Sequence, residues 1–112
     1  METGKVPNSI LESIVFNRLK NRRREVIVSP GIGEDCSGID LDGSLCVLST
    51  DPITGSSRDI GRLAVHVSCN DIASSGAEPV GILVAILLPV GTEAAQLEDV
   101  MSQLCDTAEQ LN

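Results

Sequence analysis

The chain has 112 residues, enough for one domain at most, and its single aromatic residue, Phe16, leaves the core to Ile, Leu, Val and Ala. That composition suits helices layered on a sheet and offers no platform for stacking nucleic-acid bases. The net charge of −8 is uneven, with six Lys/Arg against three acids in residues 1–30 and two against thirteen beyond, which argues against a nucleic-acid face and is compatible with divalent cations.

Cys36, Cys46, Cys69 and Cys105 show no C-x-x-C spacing, and there is one His, so the cysteines read as reduced thiols rather than a zinc set. No stretch resembles a signal peptide or is long enough to span a membrane, and a cytoplasmic location is expected.

In chain order, Ser9 and Glu12 have the spacing of a capping box, which predicts a first helix from Ser9 toward Leu19. The basic run Lys20-Asn21-Arg22-Arg23-Arg24 follows. It reads as a solvated helix end, where cations suit the helix dipole, in preference to a phosphate site. Glu25 to Ser29 is a short strand, closed by Pro30-Gly31-Ile32-Gly33.

Two further strand-like runs, ending at Leu41 and starting at Ser44, flank Asp42-Gly43, a pair that tolerates the positive φ of a type I′ hairpin turn. The ends of such a hairpin are neighbours, so Asp35 and the Thr50-Asp51 pair are expected to converge there. On geometry alone they read equally well as ordinary strand-end acids.

After the loop Pro52 to Arg58, Asp59 is the predicted N-cap of a helix of about sixteen residues that Gly76 and Pro79 stop. At about 100° per residue, Val65, Cys69, Ile72 and Gly76 share one face and Ile60, Ala64 and Val67 another, while Arg62, His66 and Asn70 form a polar stripe. Asp71 falls on the bearing of Ile60, Ala64 and Val67. Two readings of it stay open: a residue near the helix end where the chain reaches water, or a carboxylate of a metal or phosphate site. Val80 to Leu88 is apolar on both faces, as in an inner strand, and Thr92 is the predicted cap of a last helix with Leu97, Val100, Met101, Leu104, Ala108 and Leu111 at helical spacing.

Three ordered motifs carry a resemblance: Gly31-Ile-Gly-Glu-Asp-Cys, Leu48-Ser-Thr-Asp, and Leu63-Ala-Val-His-Val-Ser-Cys-Asn-Asp-Ile-Ala-Ser-Ser-Gly-Ala-Glu-Pro, followed by a strand ending in Leu88-Pro89. Together they resemble the N-terminal domain of the aminoimidazole ribonucleotide (AIR) synthetase, or PurM-like, superfamily, from about Val6 onward. The resemblance implies an α/β (α+β) domain, a mixed sheet packed with helices, that dimerises through its sheet with an ATP site near the interface. It also implies that this chain is truncated before the domain's last strand and lacks the C-terminal domain.

Carried over motif by motif, the resemblance assigns Glu34, Asp35, Thr50, Asp51, Asn70 and Asp71 to binding ATP with Mg2+, and Asp35, Asp51 and Asp71 to the metal. It assigns no catalytic residue. The family usually has Asp where Glu34 stands, which favours Asp35 as the ligand of that pair.

Two departures narrow the class. The Gly-rich segment with a reactive Cys or Lys of selenophosphate synthetase is absent, and Thr54-Gly55-Ser56-Ser57 stands where thiamin-monophosphate kinase has His-Phe. The nearest likeness is to the AIR synthetase-related proteins grouped with the hydrogenase-maturation carbamoyl dehydratase. The function implied is the N-terminal half of an ATP-dependent enzyme that phosphorylates or activates an amide, carbonyl or phosphate acceptor, small or protein-linked, this part alone being inactive. The other reading is a non-catalytic dimerisation module that retains the fold; neither involves nucleic acid or a membrane.

Overall fold

A computed structural model describes residues 4–20, 23–55 and 58–111. The chain divides into two compact units, Met1–Ser49 and Thr50–Asn112. Together they hold an α+β set of elements, with the strands in the first unit and the two long helices in the second.

The first unit opens with α1 (Asn8–Ile10), which continues as a wide turn over Leu11–Val15 and a tight one over Phe16–Arg18. It starts one residue before the sequence predicts. The Pro7 carbonyl accepts from the Ile10 and Leu11 amides at 2.9 and 3.0 Å, so Ser9 lies inside the first turn and the Ser9/Glu12 capping box does not form. The basic run does not end a long helix either, because the helical stretch stops at Arg18. Arg23 instead clasps Glu25 in a two-pronged bond, 2.8 and 3.2 Å, which holds the Glu25 carboxyl below its ordinary range. Asn21 and Arg22 of that run lie outside the described residues, as do Ser56 and Ser57 of the loop before the central helix.

The sheet is β1 (Val26–Val28), β2 (Ser37–Leu41) and β3 (Ser44–Leu48), in the order β1-β2-β3 and antiparallel throughout. The β2–β3 hairpin turns on Asp42 and Gly43, whose φ values of 52° and 95° are those of the predicted type I′ turn. Asp40 Oδ1 accepts from the Gly43 amide at 2.9 Å and closes it. Gly38, buried opposite Val47, leaves room for Val28, whose Cγ2 would stand 3.0 Å from any Cβ added there. The β1–β2 register shifts between Val26 and Val28, where that side chain crosses.

In the second unit, α2 (Ile60–Ser74) and α3 (Ala94–Gln110) pack on each other. Gly61 and Val65 of α2 are buried, as are Leu104 and Thr107 of α3. The contact is closest at Gly61, where an added Cβ would meet the Val100 carbonyl oxygen at 2.6 Å, the Gln103 Cβ at 2.8 Å and the Leu104 amide at 3.1 Å. Glycine is therefore required by space.

The caps of these helices depart from the expectations in an informative way. Asp59 stands at the N-cap position of α2 but makes no side-chain cap bond, and Gln103 of α3 reaches across to accept from the Gly61 amide at 3.1 Å. At the other end the prediction holds. Gly76 adopts φ 81°, its amide bonds to Ala73 O and the Ala77 amide to Ile72 O, the two bonds of a Schellman stop. Thr92 does not cap α3, because the helix starts one residue later: Glu93 is its N-cap and forms the capping box with Gln96, while the Thr92 hydroxyl donates to Pro89 O at 2.7 Å.

The predicted inner strand Val80 to Leu88 is not paired among the described residues, so the sheet is antiparallel rather than mixed. A strand exists only where backbone groups find a ladder partner, and these find none within the described chain. Between Ile82 and Leu88, Leu83 and Leu87 are fully open whereas Ile82, Val84, Ile86 and Leu88 are half covered; Val80, in phase with the latter, is as open as Leu83. The buried apolar core is correspondingly thin, Val65 and Leu104 being its members among the described residues.

Gly61→Ala is expected to destabilise the chain by about 1–3 kcal/mol, because the added methyl has only backbone and a Cβ to displace. Asp59→Ala is expected to cost less than about 0.5 kcal/mol, not the ~1 kcal/mol of a working N-cap. Urea denaturation of both variants checks the pair.

Candidate functional site

Glu34 and Asp35 leave a tight turn at the entrance to β2. The Glu34 amide bonds to Gly31 O at 3.3 Å and Gly33 takes φ 85°, a conformation that an L side chain would strain. The turn sets both carboxylates on the exposed side of the strand start. The hairpin then returns the chain to them. Ser37 pairs with Leu48, and one step beyond, the Ser49 hydroxyl donates to the Asp35 carbonyl at 3.1 Å. The open end of the hairpin is thus closed between Asp35 and Ser49, the last residue of the first unit.

Thr50 and Asp51 are exposed at the start of the second unit. On α2, Asn70 is exposed and Asp71 is half-buried, like Ile60, Ala64 and Val67, whose bearing it shares. Of the helical phase read from the sequence, Val65 is buried and Arg62 and Asn70 are exposed as expected, whereas His66 of the polar stripe is half-buried. Asp71 lies within the last turn of α2, where its carbonyl accepts from the Ser74 hydroxyl at 2.8 Å.

The donor set of these residues is entirely oxygen: carboxylates from Glu34, Asp35, Asp51 and Asp71, a hydroxyl from Thr50 and an amide carbonyl from Asn70. Such a set suits Mg2+, which prefers one or two carboxylates together with phosphate oxygens and water over an all-protein cage. Among the described residues no group of three or more His, Cys, Asp or Glu stands where it could hold a metal ion, so Asp35, Asp51 and Asp71 are not brought together as one such group. The four cysteines form no disulfide. No helix among the described residues is long and apolar enough to cross a membrane.

One polar residue went unremarked in the sequence. Gln103 lies three residues after Val100 and four before Thr107, on the face that α3 turns to α2, and a polar side chain on that bearing was its signal.

The N-terminal domain profile of the AIR synthase related proteins matches residues 33–112. A protein of Methanocaldococcus jannaschii named for hydrogenase expression/formation is 28% identical over 116 residues, covering 96% of this chain and 33% of its own length. The hydrogenase expression/formation protein HupE of Azotobacter chroococcum is 26% identical over 110 residues, covering 94% of this chain and 30% of its own. The chain thus spans about a third of the length of these curated relatives. No solved structure matches it.

Ser49→Ala removes the bond that ties Asp35 to the end of β3. It is expected to lower stability by about 0.5–1 kcal/mol and to speed amide exchange in residues 35–37, read by NMR, while the Asp42-Gly43 turn keeps its protection. Unchanged exchange at those amides would show that the hairpin ends are held by other means.

Proposed function

The chain belongs to the AIR synthase related family through its N-terminal domain, and on that premise we propose that it is the Mg2+-ATP-binding, dimerising part of an ATP-dependent enzyme. The acceptor class proposed is an amide, carbonyl or phosphate oxygen that the enzyme phosphorylates or activates. Because two relatives carry names in hydrogenase expression/formation, the process proposed is the maturation of that enzyme. The observation that carries the reading is one of extent: the matched stretch, residues 33–112, encloses all six candidate residues, from Glu34 to Asp71.

In this reading Asp35, Asp51 and Asp71 hold the metal, while Glu34, Thr50 and Asn70 bind the nucleotide around it. A bound Mg2+ on the phosphates supplies charge neutralisation as a phosphoryl group moves. The chain's own residues do the holding. Asp35 and Asp51 stand exposed, where an incoming metal-nucleotide can reach them. Half-buried Asp71 sits on a helix rather than a loop, which fixes its direction and lowers the ordering entropy lost on binding.

Dimerisation follows from the segment Val80 to Leu88. It has no ladder among the described residues, and its side chains stand open to solvent, Leu83 and Leu87 being 103% and 90% exposed. An unpaired backbone beside aliphatic side chains invites a second strand, and a two-fold pairing with a copy would satisfy both.

In the full-length protein, Asp71→Asn is expected to weaken Mg2+-dependent ATP binding at least about tenfold, the ~1.4 kcal/mol or more of a lost charged ligand. Calorimetry with and without Mg2+ reads it, and wild-type affinity in the variant would refute the role of Asp71. For assembly, light scattering at micromolar concentration is expected to give twice the 11.8 kDa chain mass and to fall to the monomer on Leu83→Asp. A stable wild-type monomer would rule out self-pairing of this chain.

A further inference from the structure

The side chain of Gln103 makes three bonds, one to α2, one to the chain just before α2 and one within α3. Its Oε1 accepts from the Gly61 amide at 3.1 Å, and its Nε2 donates to the Arg58 carbonyl at 2.7 Å and to Asp99 Oδ2 at 2.9 Å. Asp99 is a carboxylate and only accepts, so it decides which end of the amide is nitrogen and turns the oxygen toward Gly61. Gly61 is the second residue of α2, whose amide an N-cap side chain ordinarily takes, and Asp59 leaves it to Gln103. The same glycine is pressed against the Val100 carbonyl. One helix thus caps the other from outside, at the point where the two helices come nearest.

We propose that Gln103, oriented by Asp99, is a positioning residue that fixes the rotation and axial register of α2 and thereby aims Asp71; this rests on the proposed Mg2+-nucleotide role of Asp71. The geometry gives the leverage. Asp71 lies ten residues beyond Gly61, about 15 Å along the axis and about 80° from the Gly61 bearing. It sits at the margin of the helix contact, not in it, so its direction follows the rotation of the whole helix. With side-chain tips about 5–6 Å from the axis, a turn of about 20° moves a carboxylate by about 2 Å, which is the difference between coordination and none. Val65 and Leu104 are the buried apolar side chains of this contact among the described residues, and two aliphatic groups resist sliding less well than directed bonds do.

The test uses the full-length protein and two readouts, amide exchange at Gly61 for the cap and Mg2+-dependent binding of a non-hydrolysable ATP analogue for the aim. Gln103→Leu removes all three bonds. Gln103→Glu with Asp99→Asn restores an acceptor for Gly61 and, in the side-chain amide introduced at position 99, a donor that holds it, but sets a carboxylate oxygen against the Arg58 carbonyl. Gln103→Leu is expected to speed exchange at Gly61 and to weaken analogue binding, each about fivefold, the size of one capping interaction. The double variant is expected to recover part of both losses, the bond to the Arg58 carbonyl staying broken. Should Gln103→Leu fail to fold, Gln103→Asn, which keeps the amide but withdraws it by one methylene, is expected to show the same losses. Unchanged exchange, unchanged analogue affinity in a variant of a binding-competent wild type, or a double variant no better than Gln103→Leu each overturns the positioning role. A wild type that binds no Mg2+-analogue overturns the proposed function and this inference together, which separates the two failures.

Discussion

The contact on which the second unit depends is the one at Gly61. With the Val100 carbonyl only 2.6 Å from where a Cβ would stand, α2 and α3 approach as closely as backbones allow, and the polar groups this buries are met by the Gln103 amide. Close approach and amide cap require each other. A larger residue at position 61 would part the helices and carry the amide out of reach, while an apolar residue at 103 would leave the first-turn amide without its partner. Everything α2 carries, Asn70 and Asp71 included, is aimed from that point.

Away from it, the chain keeps little apolar surface from water. Val65 and Leu104 are buried, at roughly 1.5–3 kcal/mol each for full burial, whereas Leu83, Leu87 and Val90 stand in solvent. The proposed pairing with a copy would cover such side chains. The 9169 Å² of accessible surface is the complement of that thin core. Hydrogen bonding of the extended stretch and burial of its side chains are one problem, and strand addition by a copy solves both at once.

What was legible in the sequence was what neighbours in the chain decide. Asp42-Gly43 must turn because both residues tolerate positive φ, and Gly76 must stop α2 for the same reason. The phase of α2, and with it the bearing of Asp71, came from periodicity alone. What was not legible was what distant residues decide. Asp59 is a fine N-cap by composition, but a glutamine forty-two residues away from Gly61 competes for the same amide. Thr92 precedes the cap position, which Glu93 takes together with Gln96. Val80 to Leu88 has the composition of an inner strand, yet composition cannot supply a ladder partner. The acids of the site were legible through the order and spacing of three motifs, and of those acids the structure ties Asp35 to the hairpin end through Ser49.

The central claim is that a few oxygen ligands of this domain hold a divalent cation on ATP. Crystals of the full-length protein grown with Mn2+ and a non-hydrolysable ATP analogue test it most directly, because anomalous scattering locates the ion without reference to any assigned ligand. The account predicts an anomalous peak at coordination distance from analogue phosphate oxygens and from carboxylates of Asp35, Asp51 and Asp71. A metal-nucleotide complex bound in full, with its ion coordinated by none of those three residues, would contradict it.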